Sequence, residues 1–260
     1  MVRRWLAWHV LLACAMVAGC DRAAPTTAAA TSVSGETIAH SGQSYRVVRV
    51  PAAAAGLRLL WRDASGTPVG DLAALERRIG DGGDRLVFVT NAGIFDPTRS
   101  PLGLHIENGK VLVDLNRGDG VENFYLKPNG VFFEADGKLG ICETSEFTLS
   151  PDRVRFATQS GPLLLRAGRE HGAFDPNSAN RKVRSAVGVN AAGDAVFVLS
   201  EGRVTFHELA SFYRDRLECA DALYLDGEIS KFYAPRYGWN DGAGQFAAVI
   251  AVVEPNAAVR

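Results

Sequence analysis

The sequence predicts an α+β fold in a single domain, with a mixed, largely antiparallel β-sheet, a central hairpin meander and a few packed helices. Three Asn-Gly or Asp-Gly dipeptides between apolar runs predict tight hairpins, because these residues adopt the positive φ angles that two-residue turns require. Several short apolar runs bounded by turn residues predict strands that are covered on both faces. Two segments with apolar residues at helical spacing predict the helices that cover them.

The first twenty residues differ in character from the rest of the chain. Two arginines precede an apolar run over residues 5–16, and small residues follow up to Cys20. This order is typical of a secretory signal peptide, and the run is shorter than the about 20 residues needed to span a bilayer. Residues 17–20 also match a bacterial lipobox, in which the cysteine is lipidated and becomes the new N-terminus. We therefore predict a lipoprotein signal peptide over residues 1–19, with an ordinary leader that ends in cysteine as the alternative.

The segment after the leader predicts an anchored, exported domain. Asp21 favours retention in the inner membrane, on its periplasmic side. Residues 20–36 are small and polar, and we interpret them as a flexible tether from the lipidated Cys20 to a domain over residues 37–260. Loss of residues 1–19 removes two arginines and no acidic residue, so the domain is mildly acidic. The lack of a basic surplus excludes nucleic acid as a partner.

The chain is long enough to fold without covalent support. It has 260 residues, of which 47% are hydrophobic and 22% charged. A chain of this size buries about 70–75% of its unfolded surface. Cys142 and Cys219 remain in the domain. In an oxidising envelope they can form a disulfide, and two buried free thiols are the alternative, because sequence separation carries no geometry.

The strands are predicted from turn residues and apolar runs. Asn108-Gly109, Asn129-Gly130 and Asp136-Gly137 mark the three turns of the meander. The other predicted strands cover residues 85–90, 184–189, 195–199, 222–225 and 246–253.

The helices are predicted over residues 71–79 and 206–218. The second has the clearer signals, because Thr205 and Glu208 have the spacing of a capping box. Its apolar stripe consists of Phe206, Leu209, Phe212, Tyr213 and Leu217.

Motifs of many familiar catalytic and cofactor sites are absent from the sequence. It has no Gly-x-Ser-x-Gly elbow, Walker loop, dinucleotide-binding glycine motif, His-Glu-x-x-His or Cys-x-x-Cys. The four histidines after the leader are too far apart in sequence to indicate paired metal ligands. The absence of these motifs therefore predicts no metal site and no required cofactor. It does not exclude the use of a divalent cation.

Four short segments place polar residues beside glycine at the ends of apolar strands, where active sites of sheet proteins are often found. They are Asn-Ala-Gly-Ile-Phe at 91–95, Gln-Ser-Gly-Pro at 159–162, Arg-Ser-Ala-Val-Gly at 184–188 and Leu-Asp-Gly-Glu-Ile-Ser at 225–230. Each alone is compatible with a strand end, a turn, a surface cation or a hairpin. Together, in this order, they resemble the phosphodiester glycosidase family, with its pattern Asn-x-Gly-x-Phe, Gln-Ser-Gly-Pro, Arg-(Ser/Thr)-Ala-x-Gly and Leu-Asp-Gly-x-x-Ser.

The resemblance extends over about residues 45–253 and is closest to the bacterial branch of exported proteins. It implies hydrolysis of a sugar 1-phosphodiester, with release of the free sugar and a phosphomonoester. Eukaryotic members have glycine where this chain has Glu228. The shape and charge of the site, and the substrate, are therefore expected to differ from theirs.

The residue types of the four motifs suit this reaction. Arg184 is predicted as a catalytic residue that binds phosphate oxygens with both ends of its guanidinium group. Asp226 is the candidate for acid, base or nucleophilic chemistry at the anomeric carbon, and Glu228 for a second carboxylate. Amides are expected to hold sugar hydroxyls, and serine hydroxyls and glycine N–H groups to hold phosphate. The predicted substrate-binding residues are Asn91, Gly93, Gln159, Ser160, Gly161, Gly227, Glu228 and Ser230.

The preferred hypothesis is an envelope-anchored hydrolase of glycosyl 1-phosphodiesters, whose partners are this substrate and, through Cys20, a membrane. The alternative is a non-catalytic lipoprotein that binds glycans or phosphoglycans in the same cleft, because a shared fold does not determine function. A third interpretation, a different hydrolase on the same fold, depends on Glu228. The site assignment requires that Asn91, Ser160, Arg184 and Asp226 come together.

Overall fold

The computed structural model describes residues 32–52, 56–148, 150–227, 229–241 and 244–256. The predicted leader, the lipidation site Cys20 and most of the tether lie outside these residues. The first strand begins at Ser34, three residues before the predicted domain boundary. Among the described residues, no helix is both long enough and apolar enough to cross a membrane.

Strands dominate the described part of the chain, which also contains two α-helices and four short 3-10 helices. The strands are β1 (Ser34–His40), β2 (Gln43–Val50), β3 (Leu57–Leu60), β4 (Gly70–Asp71), β5 (Asp84–Asn91), β6 (His105–Glu107), β7 (Lys110–Val113), β8 (Gly130–Ala135), β9 (Lys138–Glu143), β10 (Val154–Ser160), β11 (Leu163–Arg166), β12 (Arg169–Glu170), β13 (Ser185–Asn190), β14 (Ala195–Ser200), β15 (Cys219–Asp226), β16 (Phe232–Ala234), β17 (Trp239–Asn240), β18 (Gln245–Phe246) and β19 (Val249–Pro255). The helices are α1 (Leu72–Asp81) and α2 (Phe206–Asp215), and the 3-10 helices are Asn123–Tyr125, Thr144–Glu146, Pro151–Arg153 and Pro235–Tyr237.

The paired strands of the described residues are all antiparallel and form three main sheets. Sheet I has the order β1-β2-β14-β13-β15-β11-β12, sheet II the order β7-β6-β10-β8-β9 and sheet III the order β17-β16-β5-β19-β3, while β18 pairs with β4. The predicted α+β class with a largely antiparallel sheet is therefore confirmed in part. The fold is mostly β, and its strands are divided among several sheets.

The three sheets meet around a common hydrophobic core. Phe197 of sheet I lies 5.2 Å from Phe88 of sheet III and 6.0 Å from Phe132 of sheet II, measured between ring centroids. All three side chains are fully buried. The faces that meet at this core are thus covered by other sheets. The predicted cover by helices is found on the outer faces. There α2 packs on sheet I and α1 packs on sheet III.

Both helices begin at polar caps. Asp71 accepts a hydrogen bond from the Ala74 N–H at 2.8 Å and starts α1. The capping box predicted for α2 is confirmed: Thr205 accepts from the Glu208 N–H at 3.1 Å, and Glu208 accepts from the Thr205 N–H at 2.7 Å. These bonds satisfy N–H groups that have no partner within a helix. The helix itself ends at Asp215, three residues earlier than predicted.

Two of the three predicted hairpin turns are confirmed. Asn108-Gly109 joins β6 to β7 and Asp136-Gly137 joins β8 to β9, each with positive φ at both residues. Asn129-Gly130 is not a turn, because Gly130 begins β8 and Asn129 donates from its buried side chain to the Phe124 carbonyl oxygen at 2.7 Å. The apolar run before it, predicted as a strand, forms the 3-10 helix Asn123–Tyr125.

The two cysteines of the described domain are free thiols, as in the second of the predicted alternatives, although only Cys219 is buried and Cys142 is partly exposed. Burial raises the pKa of Cys142 to about 11 and that of Cys219 to about 12. Both therefore stay protonated at neutral pH, where a thiol is a poor nucleophile.

Candidate active site

The four sequence motifs meet where the three sheets join. Asn91 ends β5 of sheet III, Ser160 ends β10 of sheet II, and Asp226 ends β15 of sheet I. Asp226 pairs with Ser185, the first residue of β13, and Arg184 precedes that strand. The structure thus brings the motifs to one junction, although it gives their side chains different tasks.

Buried polar groups tie the sheets together at this junction. Ser160 Oγ donates to the Leu225 carbonyl oxygen at 3.2 Å and accepts from the Ile94 N–H at 3.3 Å. Ser185 Oγ donates to Asn91 Oδ1 at 3.0 Å. Ser160, Ser185 and Asn91 are each no more than 2% exposed. The hydrogen bonds of Asn91 and Ser160 hold the sheets together at this junction, and the predicted contacts of these two residues with substrate stay predictions.

Gly93 and Gly161 allow the elements at the junction to approach closely. A Cβ atom at Gly93 would lie 2.2 Å from the Gln159 carbonyl oxygen, and one at Gly161 would lie 2.6 Å from Cβ of Asn129. Packing therefore requires glycine at both positions. Their contact with substrate stays a prediction.

A cleft of about 490 Å³ opens beside the junction, a volume typical of small-molecule sites. Of the predicted site residues, Asp226 and Gly227 line it. The other lining residues in the described part of the chain are Ile94, Val121, Glu122, Asn123, Asn180, Lys182 and Tyr224. Asp226 is 5% exposed and Tyr224 is 1% exposed, so these two residues form the floor of the cleft.

Asp226 is held in place through its own backbone. Ser230 Oγ donates to the Asp226 carbonyl oxygen at 2.6 Å, and Ser185 Oγ lies 3.4 Å from the same oxygen. The Gly227 N–H donates to Asp226 Oδ1 at 2.5 Å. These contacts fix the end of β15, so the carboxylate has a defined position in the cleft. Ser230, predicted to bind substrate, acts here by supporting Asp226.

Arg184 is buried beneath the cleft and does not line it in the described structure. Its Nε donates to the Val204 carbonyl oxygen at 2.9 Å and its Nη2 to the Asn180 carbonyl oxygen at 3.0 Å. The guanidinium carbon lies 3.8 Å from the centroid of the Phe206 ring, a cation–π contact. Burial lowers the pKa of Arg184, and the Tyr224 hydroxyl opposes this shift. Two of the three guanidinium nitrogens therefore hold the backbone, and the predicted binding of phosphate by Arg184 stays a prediction.

Gln159 holds a loop that builds one wall of the cleft. Its Oε1 accepts from the N–H groups of Leu104 and Asn116 at 3.0 and 2.9 Å. Its Nε2 donates to the Asn116 carbonyl oxygen at 2.7 Å and to Thr144 Oγ1 at 3.2 Å. All four positions of the amide are used in this way. Gln159 therefore supports the segment that leads to residues 121–123, and its predicted contact with sugar hydroxyls stays a prediction.

We expect Gln159→Ala to lower the free energy of unfolding by about 2–3 kcal/mol, because buried backbone groups lose their partners. Amide protons around Asn116 should also exchange faster. Urea unfolding and hydrogen exchange measure the two effects. Gln245→Ala is the matched control, since Gln245 is exposed and bonded to Arg99, and it should change the unfolding free energy by less than about 0.5 kcal/mol. Equal stability of the two variants would contradict the supporting role of Gln159.

Two important lining residues were not assigned to the site from the sequence. Lys182 brings a positive charge to the wall, and Tyr224 brings a phenol to the floor. Alternate residues of a strand share a face, so the position of Tyr224 two residues before Asp226 was a usable signal. Glu122 and Asn123 come from a distant loop without a motif, and no sequence pattern indicated them.

Two sequence predictions, the role of Glu228 and the absence of a metal site, stay predictions. Glu228, the candidate second carboxylate, lies outside the described residues. Within those residues, no group of three or more His, Cys, Asp or Glu side chains is placed to hold a metal ion.

Comparisons with known proteins place the chain among relatives that share the segment carrying this site. The profile of the phosphodiester glycosidase family matches residues 84–248, which include all four motifs. The uncharacterized protein YigE of Escherichia coli (strain K12) is 40% identical over 177 residues, which are 68% of this chain and 69% of that protein.

Two solved structures share the fold. The catalytic domain of zebrafish N-acetylglucosamine-1-phosphodiester alpha-N-acetylglucosaminidase, auto-inhibited by its pro-peptide, aligns with a TM-score of 0.58 at 15% identity, over 86% of this chain and 82% of that one. A hypothetical protein from Synechocystis aligns with a TM-score of 0.54 at 16% identity, over 84% of this chain and 61% of that one. At these identities the likeness concerns the fold.

Proposed function

Because the chain belongs to the phosphodiester glycosidase family, as its four motifs predicted, we propose that it hydrolyses glycosyl 1-phosphodiesters to a sugar and a phosphomonoester. The observation that carries the proposal is the placement of a recessed carboxylate, Asp226, and a cation, Lys182, in one cleft at the junction of the family motifs. A carboxylate suits the anomeric carbon, and a cation suits the phosphate.

The charged groups of the cleft match the two halves of such a substrate. A phosphodiester keeps one negative charge, which the Lys182 ammonium attracts. Cleavage at the anomeric carbon passes through a transition state with positive charge on the sugar, which the Asp226 carboxylate stabilises. The amides of Asn123 and Asn180 are lining groups able to bind sugar hydroxyls.

The proposed reaction breaks the bond between C1 of the sugar and the phosphate oxygen. Asp226 acts either as the base that takes a proton from water or as the nucleophile at C1. The phosphate leaves with the electron pair, and a phosphate is a sufficiently weak base to do so readily. The sugar gains the hydroxyl group of water in both routes.

We further propose that the protein is exported and anchored through lipidated Cys20, on the periplasmic side of the inner membrane. The support is the order of charged, apolar and small residues before Cys20, and Asp21 after it. Such an anchor would bring the cleft to glycans of the cell envelope. Mass spectrometry of the N-terminal peptide tests this directly, because the mature lipoprotein would begin at a lipid-modified Cys20 and lack residues 1–19.

The activity is tested with the purified chain and synthetic sugar 1-(methyl phosphates). The first substrate is the N-acetylglucosamine diester, since the zebrafish relative is named for that substrate. We expect ³¹P NMR to show methyl phosphate as the phosphorus product. In water enriched in ¹⁸O, the label should enter the sugar, because the C1–O bond breaks. Label in the phosphate would show P–O cleavage and contradict a glycosidase.

The alternative of a non-catalytic binding protein makes a different prediction for the same substrates. It requires saturable binding by calorimetry without any product at long incubation times. That result would overturn the proposed hydrolysis and leave the cleft as a glycan-binding site.

A further inference from the structure

Among the described residues that line the cleft, Tyr224 is the least exposed. It is 1% exposed, it lies on β15 two residues before Asp226, and both residues line the same cleft. Neither the motifs nor the reaction proposed above gives this phenol a task. A polar group at the floor of a cleft, beside a recessed carboxylate, is well placed to contact a substrate.

The phenol ring is held on two sides. Phe206 meets the Tyr224 ring edge-on at 4.8 Å between centroids, and the Arg184 guanidinium carbon lies 5.4 Å from the ring centroid. Arg184 is itself fixed by the carbonyl oxygens of Val204 and Asn180. A buried positive charge beside a phenol polarises its O–H group, which makes the hydroxyl a stronger hydrogen-bond donor.

The hydroxyl of Tyr224 lies at the cationic end of the cleft. A Cβ atom at Gly227 would be 2.2 Å from the Tyr224 hydroxyl oxygen and 3.5 Å from Cδ of Lys182. Both side chains therefore pass the same point beside Gly227. This geometry also explains the glycine, because any side chain at position 227 would displace the phenol.

We propose that Tyr224 is a further catalytic residue, whose hydroxyl donates a hydrogen bond to the phosphate oxygen that leaves the anomeric carbon. The proposal rests on the proposed function, because it assigns the phosphate half of that substrate to the end of the cleft formed by Lys182 and Tyr224. The phenol keeps its proton throughout. Water supplies a hydroxyl to C1 and a proton to the solvent or the product, and the C1–O electron pair stays on the phosphate.

The test compares two leaving groups in the Tyr224→Phe variant. We expect kcat/KM to fall about 10²-fold, the usual effect of removing one preorganised donor to a developing charge. The loss should be larger for the sugar 1-(methyl phosphate) than for the 1-(4-nitrophenyl phosphate), because the methyl ester leaves as the more basic phosphate. Wild-type rates on both diesters, or the same loss for both, would overturn the proposal.

Gly227→Ala provides an independent variant that moves the phenol without removing it. We expect this substitution to lower kcat/KM by about the same 10²-fold in the wild-type chain. The same substitution should lower kcat/KM much less in the Tyr224→Phe background, where no hydroxyl remains to be displaced. Independent, additive losses would contradict a shared effect on the Tyr224 hydroxyl.

Tyr213→Phe is the matched control. Tyr213 is also fully buried, and its hydroxyl donates to the Val196 carbonyl oxygen at 3.1 Å outside the cleft. We expect this variant to lower Tm and to keep kcat/KM within about twofold, since uninvolved hydroxyls do not touch the reacting atoms.

A failure of the proposed function is distinguishable from a failure of this inference. If the wild-type chain hydrolyses no diester, calorimetric titration with methyl phosphate tests the phosphate contact alone. Binding that is lost in Tyr224→Phe and kept in Tyr213→Phe would support the contact. Equal binding to both variants would overturn it.

Discussion

Asp226→Asn is expected to abolish nearly all hydrolysis of sugar 1-phosphodiesters while leaving the fold intact. We expect kcat to fall by about 10³-fold or more, because the amide neither takes a proton from water nor attacks the anomeric carbon. Asparagine has the same shape as aspartate, so the oxygen that accepts from the Gly227 N–H is retained. The supporting bond from Ser230 goes to the backbone of residue 226 and is unaffected. Steady-state kinetics and a thermal melt measure the two expectations.

The control for this variant lies on the same strand. Asp221→Asn changes an aspartate of β15 whose Oδ1 accepts from the Ala167 N–H at 2.9 Å, outside the cleft lining. We expect its kcat to stay within about twofold of the wild type, as for a surface substitution. If Asp226→Asn retains more than a tenth of the wild-type kcat, the carboxylate is not the chemical group of the site.

The local part of the fold was predictable because its signals are contained in a few neighbouring residues. The capping box of α2 and the turns at Asn108 and Asp136 depend on φ angles and side chains within one short segment. Asn129-Gly130 is the same dipeptide as Asn108-Gly109 but does not form a turn. At this position the glycine is required by the packing of its neighbours. A Cβ atom at Gly130 would lie 2.6 Å from Leu163 Cδ2 and 2.7 Å from the Cys142 carbonyl oxygen. Contacts of this kind join distant segments and leave no local signal.

The division into several sheets was not predictable for the same reason. β10 inserts between β6 and β8, so the segment predicted as a simple meander is interrupted by a later strand. An apolar strand such as β14 has the same sequence pattern whether a helix or another sheet covers it. Helices were expected to cover β14. The contacts of Phe197 show that strands of the other two sheets cover this face.

The sequence placed four motifs at strand ends and the structure brings them to one junction, whereas the roles of their side chains in binding and catalysis stay predictions. Residue types at strand ends identified the junction, because the family motifs lie there. Burial decides which of these side chains reach the cleft, and burial depends on contacts from distant parts of the chain. Gln159 and Arg184, for example, were predicted to bind sugar and phosphate, and the structure shows both at most 1% exposed and bonded to backbone groups. Lys182, two residues from Arg184, lines the cleft, and we propose that it is the cation that attracts the phosphate.

The contrast between Arg184 and Lys182 gives the largest expected effect on stability. Arg184→Ala should lower the free energy of unfolding by about 4 kcal/mol, since it removes the charged hydrogen bonds to Val204 and Asn180 and the contacts with the Phe206 and Tyr224 rings and leaves a cavity. Lys182→Ala should change stability by less than about 0.5 kcal/mol, because the side chain is partly exposed. Chemical unfolding of both variants beside the wild type measures the difference.

Variants at the same two positions separate phosphate binding from structural support. Lys182→Ala is expected to raise KM for the diesters by about tenfold, because an exposed attraction between charges is lost while the fold persists. Arg184→Lys keeps a positive charge but cannot bond Val204 and Asn180 together as the planar guanidinium does, so it should be nearly as unstable as Arg184→Ala. If Arg184→Lys instead folds with wild-type stability and raises KM as strongly as Lys182→Ala, then Arg184 reaches the phosphate. A buried arginine would in that case be the anion-binding group of the cleft, as the sequence motif alone predicted.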